Sequence, residues 1–217
     1  MTALKKPLSG ILAFILVFAF VAVTPVVAFA EDEVIEFSKE EIELNKKQED
    51  GFEYVRTSDG SAAILVGYVG TETEVKIPSS INNLKVIEIA DEAFMDCKNL
   101  AMVDFTGVPY TITVGAKAFK NCTDLVTIDL PAAKSIGQLA FDGCKSLSRF
   151  EIKAGTERVE DYCFVNCTAL TEIVIPQSVT YFPNNAISNH TPGLVIKGYT
   201  GSIAEDVAKA FSSTTTF

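Results

Sequence analysis

The middle of the chain repeats one arrangement of apolar and polar residues. Three apolar positions, spaced as Phe-x-x-Cys-x-x-Leu, recur four times. The three columns are Phe94, Phe119, Phe141 and Phe164, then Cys97, Cys122, Cys144 and Cys167, then Leu100, Leu125, Leu147 and Leu170. Successive units lie 25, 22 and 23 residues apart, and chance does not hold three apolar columns in register over four units. A period in the low twenties predicts a solenoid of stacked units.

Each unit predicts two structural pieces. The first places apolar residues at i, i+3 and i+6, with a small residue before the phenylalanine, which suits one or two helical or 3₁₀ turns facing a core. The second alternates: Ile128 and Leu130 face one way, and Thr127 and Asp129 face the other, as in a short half-buried strand. One unit cannot bury its own apolar face, so we expect stability to come from stacked parallel strands.

The full pattern places a strand ending in proline before Ile-x-x-Ala-Phe-x-x-Cys-x-x-Leu, and it resembles the BspA-type leucine-rich repeats of bacterial surface and secreted proteins. The resemblance begins in an opening unit with Val75-Lys76-Ile77-Pro78 and ends in Lys197-Gly198-Tyr199, within residues 52–211. It implies a curved leucine-rich repeat solenoid of the α/β class that binds partners outside the cell. It brings no catalytic residues.

The ends of the repeat array predict caps, because the outermost units would otherwise expose their core. Two strands around Ser58-Asp59-Gly60 predict an N-terminal hairpin cap. Ser202-Ile203-Ala204-Glu205 is a capping box that predicts a short C-terminal helix. Ala186 and Ile187 stand at the Ala-Phe positions of a degenerate fifth unit.

These features give a predicted domain plan. The leucine-rich repeat domain is expected over residues 51–211. Its parts are a cap and first unit (51–88), four repeats (89–181), and a degenerate repeat with a C-terminal cap (182–211). The charged residues 31–50 are either a leader or a short first element, and 212–217 are a polar tail.

The first 30 residues have the pattern of an export signal. Lys5 and Lys6 precede an apolar run, Leu8–Val23, that is too short to span a bilayer comfortably. Proline then interrupts the run, and Ala28-Phe29-Ala30 offers a small-x-small cleavage site before Glu31. We therefore expect a signal peptide and a location outside the cell, free or surface-associated. An uncleaved membrane anchor is the alternative.

Charge argues against two classes of partner. Without its first 30 residues the chain carries 16 basic and 28 acidic residues, a formal charge of −12. That balance disfavours nucleic acid and anionic membrane surfaces, both of which attract cationic proteins. We expect a monomer that binds an extracellular or surface protein.

The five cysteines are read first as buried free thiols, because four occupy one repeat position and Cys163 replaces a packed alanine. If their segments are helical, neighbouring segments pack about 8–10 Å apart, beyond the Cα separation of about 7 Å that a disulfide allows. One disulfide and metal ligation are the alternatives. Ligation is disfavoured because there is no paired Cys-x-x-Cys and His190 is the single histidine.

No other pattern predicts catalysis or a cofactor. The chain has neither a nucleophile-elbow motif nor a phosphate-cradling glycine loop. His190 is expected to be a capping residue. The sequons at Asn121 and Asn166 are expected to be repeat turns beside a buried cysteine.

The outward strand positions predict two columns on one sheet face, which we take as the candidate partner-binding face. The first column is Glu74, Met102, Thr127, Arg149 and Glu172, and the second is Lys76, Asp104, Asp129, Glu151 and Val174. Solenoids present extended binding surfaces of this kind. The face is expected to be mostly acidic with Met102 and Val174 exposed, and an ordinary solvated surface is the alternative.

Three functions were compared. A secreted or surface protein-binding module, including an adhesin, is favoured by export and fold, which is a fold-level analogy. A structural part of a surface assembly, without its own ligand, is the alternative. An enzyme is disfavoured because no nucleophile–base pair or metal constellation is present.

Overall fold

The computed structural model describes residues 38–188, 192–211 and 214–216. Within them the chain forms two helices, α1 (Lys39–Asn45) and α2 (Ile203–Ala210). The strands are β1 (Lys47–Glu49), β2 (Phe52–Arg56), β3 (Ala62–Tyr68), β4 (Glu74–Lys76), β5 (Ser80–Ile81), β6 (Leu84–Ile89), β7 (Met102–Asp104), β8 (Ile112–Val114), β9 (Thr127–Ile128), β10 (Ala133–Ile136), β11 (Arg149–Glu151), β12 (Arg158–Val159), β13 (Phe164–Val165), β14 (Glu172–Val174), β15 (Ile187–Ser188), β16 (Val195–Lys197) and β17 (Thr214–Thr216). In this part of the chain neither helix has the length and apolar character to cross a membrane. The predicted signal peptide and His190 lie outside the described residues.

The front end of the domain is an antiparallel hairpin of β2 and β3, as its turn residues predict. The Asp59 carboxylate accepts hydrogen bonds from the Thr57 hydroxyl and the Ser61 N–H, which fixes the turn. β1 pairs antiparallel with β2, and α1 begins at a capping box formed by Ser38 and Glu41. Part of the charged segment 31–50 therefore supplies a helix and a strand.

Six strands occupy the same place in successive units and stack in parallel. We call them the front layer: β4, β7 and β9 form one sheet, and β11, β14 and β16, extended by β17, form the next. The pairing is in register, so Arg149 lies beside Glu172 and Glu172 beside Val195. The predicted leucine-rich repeat solenoid is confirmed.

A second sheet, the rear layer, runs in the order β1-β2-β3-β6-β8-β10-β12. The apolar residues that open each repeat lie on its inner side and are buried: Ile89, Val114, Ile136 and Val159. The sequence did not predict this second strand, because two to four residues are too few to show alternation. The core lies between the two layers.

The segments that carry the phenylalanine and cysteine are tight turns that also bond from unit to unit. Within a unit, Cys97 N–H donates to Phe94 C=O at 3.2 Å and Leu100 N–H to Cys97 C=O at 3.1 Å, the 3₁₀ pattern. Between units, Phe94 N–H donates to Ala118 C=O at 2.8 Å. Asp96, at φ 62°, lies in the left-handed region and interrupts any α-helix.

This unit-to-unit bonding corrects one premise about the cysteines. Segments joined by backbone hydrogen bonds lie about 4.8 Å apart, so distance does not forbid a disulfide. All five cysteines are nevertheless free. Three Sγ atoms lie 3.1 to 3.2 Å from a carbonyl oxygen of the preceding unit: Cys122 from Phe94, Cys144 from Phe119 and Cys167 from Phe141. The thiols thus serve as weak donors inside the core.

The phenylalanine column is a stack of parallel rings along the solenoid. Ring centroids lie 5.0 Å apart between Phe94 and Phe119, 5.3 Å between Phe119 and Phe141, and 5.6 Å between Phe141 and Phe164. Tyr68 of the hairpin extends the stack at 5.4 Å from Phe94. The hairpin therefore closes the core at the front end, as a cap must.

The back end closes with the degenerate unit and α2. Ile187 pairs with Phe164, which is the position that the repeat register predicts. Ser202 caps α2 by accepting from the Ala204 N–H, and the helix buries Ala204, Val207 and Ala208. Within the predicted tail, residues 214–216 pair in parallel with β16.

Candidate functional site

The front layer brings the predicted face residues into two columns. Strand pairing places Glu74 beside Met102 and Met102 beside Thr127, with Lys76 beside Asp104. In the other sheet, Arg149 is beside Glu172 and Glu151 beside Val174. The alternate residues between them are buried: Val75, Val103, Phe150, Ile173 and Ile196. Met102 and Val174 are half-buried, so the face offers less apolar surface than expected.

The structure extends both columns by one unit that the sequence analysis missed. Val195 continues the column of Glu172, and Lys197 continues that of Val174. The signal was present, because each residue lies 23 positions after its neighbour, one repeat period further. The degenerate fifth unit hid it by lacking the phenylalanine and cysteine.

The columns are interrupted once. β9 and β11 do not pair, so the front layer consists of two sheets rather than one. The Lys153 ammonium spans the interruption, lying 3.2 Å from the Asp129 carboxylate of one sheet and 3.1 Å from Glu151 of the other. The junction falls in the shortest repeat, where only 22 residues separate Phe119 from Phe141.

Charges in the C-terminal half of the face pair into one continuous row, which we call the ion row. Glu151 lies 3.0 Å from Arg149, Arg149 lies 2.7 Å from Glu172, and Glu172 lies 2.7 Å from Lys197. With Lys153 and Asp129 the row holds three acids and three bases. The acidic character expected of the face is therefore neutralised here.

Proton binding in the ion row follows from these pairs. Hydrogen bonds from Lys197 and then Arg149 lower the pKa of the Glu172 carboxyl, and Lys153 is the main cause that lowers that of Glu151. The same partners raise the pKa of Arg149 and Lys153. Both partners favour their charged forms, so the row stays ionised at neutral pH.

The N-terminal half of the face, formed by β4, β7 and β9, has no comparable row. Among the described residues, Glu74 and Lys76 form no ion pair. The Asp104 carboxylate accepts hydrogen bonds from the Thr106 N–H and hydroxyl, at 2.7 and 3.1 Å, which lower its pKa. A partner here would meet charges that the protein has not already matched with opposite charges.

Two pockets open at this same end of the solenoid. One, of about 270 Å³, lies between the β1–β2 turn and β4, and the other, of about 400 Å³, lies beside the loop after Tyr68. Tyr68 and Glu72 line both, and the Tyr68 hydroxyl donates to the Glu72 carboxylate. Burial, and then this bond, raises the pKa of Tyr68 to about 12.

The described residues show no chemistry suited to catalysis. They contain no group of three or more His, Cys, Asp or Glu side chains placed to hold a metal ion. Burial raises the pKa of the Cys144 and Cys163 thiols well above its usual range, and that of Cys167 to about 12. These thiols stay protonated at neutral pH, and only the thiolate is a good nucleophile.

The two sequon asparagines have structural contacts. Asn121 Nδ2 donates to Asp96 Oδ1 at 3.0 Å, and Asn166 Nδ2 donates to Asp142 Oδ1 at 2.8 Å. Both asparagines lie in the left-handed region, at φ near 60°, which asparagine tolerates better than most residues. Their amides are engaged between units, in keeping with the expected turn role.

The fold and face define a leucine-rich repeat solenoid. The family model for the BspA type leucine rich repeat region matches residues 72–192 in six copies, over more than half of the chain. The chain therefore belongs to the BspA-type leucine-rich repeat family. The six copies correspond to the six strands of the front layer. A comparison with curated proteins found no match.

Solved structures show the same fold. A leucine rich cell surface protein from Faecalibacterium prausnitzii is 26% identical, with a TM-score of 0.59 over 80% of this chain and 44% of that one. A leucine-rich repeat protein from Bacteroides capillosus is 22% identical, with a TM-score of 0.51 over 59% of this chain and 96% of that one. The second likeness shows the fold alone. This chain spans less than half of the Faecalibacterium protein.

Family membership suggests a role in protein–protein interaction and a surface-type setting. Leucine-rich repeat proteins are generally non-enzymatic binding scaffolds, and nothing in the described residues indicates catalysis.

Proposed function

We propose that this is a non-enzymatic, exported protein that binds an extracellular or surface protein through the N-terminal half of its front layer. The binding promotes adhesion to host or other cells. The observation that carries the proposal is the pairing of charges: the ion row satisfies the C-terminal half, whereas Glu74, Lys76 and Asp104 remain available. No cofactor takes part, and nucleic acid is disfavoured by a formal charge of −10 for the whole chain.

The geometry supports a protein partner over a small molecule. Two columns of side chains run across three strands, and both pockets open beside them at the same end. Charged groups arranged in columns on a rigid sheet are suited to steering and registering a macromolecular partner. Small-molecule sites are instead enclosed and mostly apolar, whereas this one is open and acidic.

Cell adhesion with charge-reversal variants tests the proposal. Producing cells are separated into medium, wall and membrane fractions, and adherence of the producing strain is compared with that of a strain lacking the protein. The double variant E74K/D104K should reduce adherence to the level of the deletion. The control E157K/D206K reverses two exposed charges away from the front layer and should leave it unchanged.

Two outcomes contradict the proposal. If E74K/D104K adheres like the unchanged protein, the N-terminal half of the face is not the binding surface. If the deletion itself has no effect and the protein is retained in the envelope as a self-associated species, a structural part in a surface assembly is the better description.

A further inference from the structure

The outer edge of β4 carries unsatisfied backbone groups. On its inner edge, Thr73 C=O accepts from Met102 N–H at 3.0 Å, and Ile77 N–H donates to Asp104 C=O at 2.9 Å. Backbone groups of alternate residues point to opposite edges of a strand, so Glu74 and Lys76 direct their N–H and C=O outward. β4 ends its sheet, and no described residue bonds to these four groups. An unpaired edge is a template for an added strand.

The pocket of about 270 Å³ lies along this edge and has a definite chemical character. Its apolar floor includes Phe52, Val75 and Ile81, which are all buried in the core. Four acids, Glu49, Asp50, Glu72 and Glu74, line it, against one base, Lys76. The groove therefore carries a formal charge of −3 around an apolar strip.

We infer that the β4 edge binds an extended, basic peptide segment of a partner protein by adding it as a further strand of the front layer. Backbone hydrogen bonds to Glu74 and Lys76 hold such a strand. Its alternate side chains reach the apolar floor and the acidic rim, because side chains alternate along a strand. The inference rests on the proposed function and names the chemistry of its partner.

The acidic rim decides between a peptide and a second copy of this chain. Edge-to-edge pairing of two β4 strands would place Glu74 opposite Lys76, which is favourable. It would also bring Glu49, Asp50 and Glu72 of one copy towards the same three acids of the other, and like charges at short range oppose association. A basic segment meets no such repulsion, so it is the occupant that the charges favour.

Fluorescence anisotropy with a labelled peptide tests the inference on the purified full chain. The probe is Lys-Val-Lys-Val-Lys, with Glu-Val-Glu-Val-Glu as charge control and a backbone N-methylated Lys-Val-Lys-Val-Lys as hydrogen-bond control. The variant Glu74→Pro removes one outward N–H at a strand edge, where proline is tolerated. Loss of one hydrogen bond should weaken binding about threefold to tenfold. Glu74→Lys should weaken it too, and Glu157→Lys should not.

The inference is supported if the basic peptide binds the unchanged protein and both control peptides bind more weakly. Equal binding of the N-methylated probe would overturn strand addition and leave only charge attraction. Absence of binding, or self-association that Glu74→Pro abolishes, would overturn the choice of occupant. Because peptide binding is measured on purified protein, its failure leaves the adhesion proposal standing, and loss of adhesion alone leaves this inference standing.

Discussion

The two halves of the front layer have the same backbone but handle charge differently. In β11, β14 and β16, six side chains pair into the ion row at 2.7 to 3.2 Å. In β4, β7 and β9, Glu74 and Lys76 form no ion pair among the described residues, and the outer edge of β4 is open. The first half is internally matched, whereas the second leaves charges and hydrogen-bonding groups for a partner.

The difference shows that a solenoid face need not be one uniform binding surface. A partner at the ion row must break existing pairs before it gains new ones, whereas a partner at β4 only displaces water. The stability that the row adds is modest, since exposed ion pairs contribute about 0.2–1 kcal/mol each. Its main effect on binding is therefore the neutral field it presents.

The comparison assumes one rigid core beneath both halves, and Phe141→Ala is the strongest way to break that assumption. Phe141 stacks between Phe119 and Phe164 and also contacts Phe150, at 4.9 Å between ring centroids. Truncation should lower the free energy of unfolding by about 3–5 kcal/mol, measured by urea denaturation. Phe141→Leu, which keeps most of the apolar volume, is the control and should cost clearly less. An unchanged urea curve would remove Phe141 from the core.

The junction between the halves is tested by Gly137→Ala. A Cβ at Gly137 would lie 2.5 Å from the backbone carbonyl carbon of Gly115, so the two units would have to separate. We expect a loss of about 1–3 kcal/mol in the free energy of unfolding. At Gly107 the nearest atom to an added Cβ is Lys76 Cε at 3.9 Å. Gly107→Ala should therefore be nearly neutral, and equal effects of the two substitutions would contradict the close approach.

A double-mutant cycle of Arg149→Met and Glu172→Gln sharpens the difference in pairing. Glu172 is 21% exposed and lies 2.7 Å from both Arg149 and Lys197. The coupling energy in urea denaturation should be about 0.2–1 kcal/mol, and should shrink in 1 M NaCl, where the Debye length is about 3 Å. Glu74→Gln, in the unpaired half, should change stability by less than about 0.5 kcal/mol. No coupling at low salt would mean that the ion row is not formed in solution.

Acid should weaken the row through its carboxylates. The pKa of Glu151 and of Glu172 is lower in the folded chain, so the unfolded chain binds protons first as pH falls. Their contribution is complete above the unfolded value, about 4.3, and is lost as pH falls through the folded values. Urea midpoints from pH 6 down to pH 3 should therefore fall less for Glu172→Gln than for the unchanged protein. Parallel curves would contradict the pairing.

The sequence predicted the repeat because apolar columns at fixed period are a long-range signal that Phe94, Phe119, Phe141 and Phe164 carry together. It did not predict the rear-layer strands, whose few residues cannot display a period. Nor did it predict the ion row. Lys153 lies beyond its strand, and Lys197 belongs to a unit without the phenylalanine and cysteine. Counting charges on the predicted strands alone therefore made the face look acidic.

The cysteine column shows a correct outcome reached through a wrong distance. A core role followed from repeat register alone, and the buried Cys122, Cys144 and Cys167 fit it. The argument from helix spacing failed because left-handed residues such as Asp96 turn the segment into a ladder of hydrogen bonds between units. Single left-handed residues leave no apolar period, so sequence pattern could not have revealed them.

Amide chemical-shift changes in NMR test the contrast between the two halves most directly. The basic probe Lys-Val-Lys-Val-Lys is added to the isotope-labelled full chain, and each perturbed amide is mapped onto the front layer. The account predicts perturbations centred on Glu74, Val75 and Lys76 and on the β1–β2 turn at Asp50, with β14 and β16 unaffected. Perturbations centred on Glu172 and Val195 instead would show that the ion row, rather than the open edge, receives the ligand.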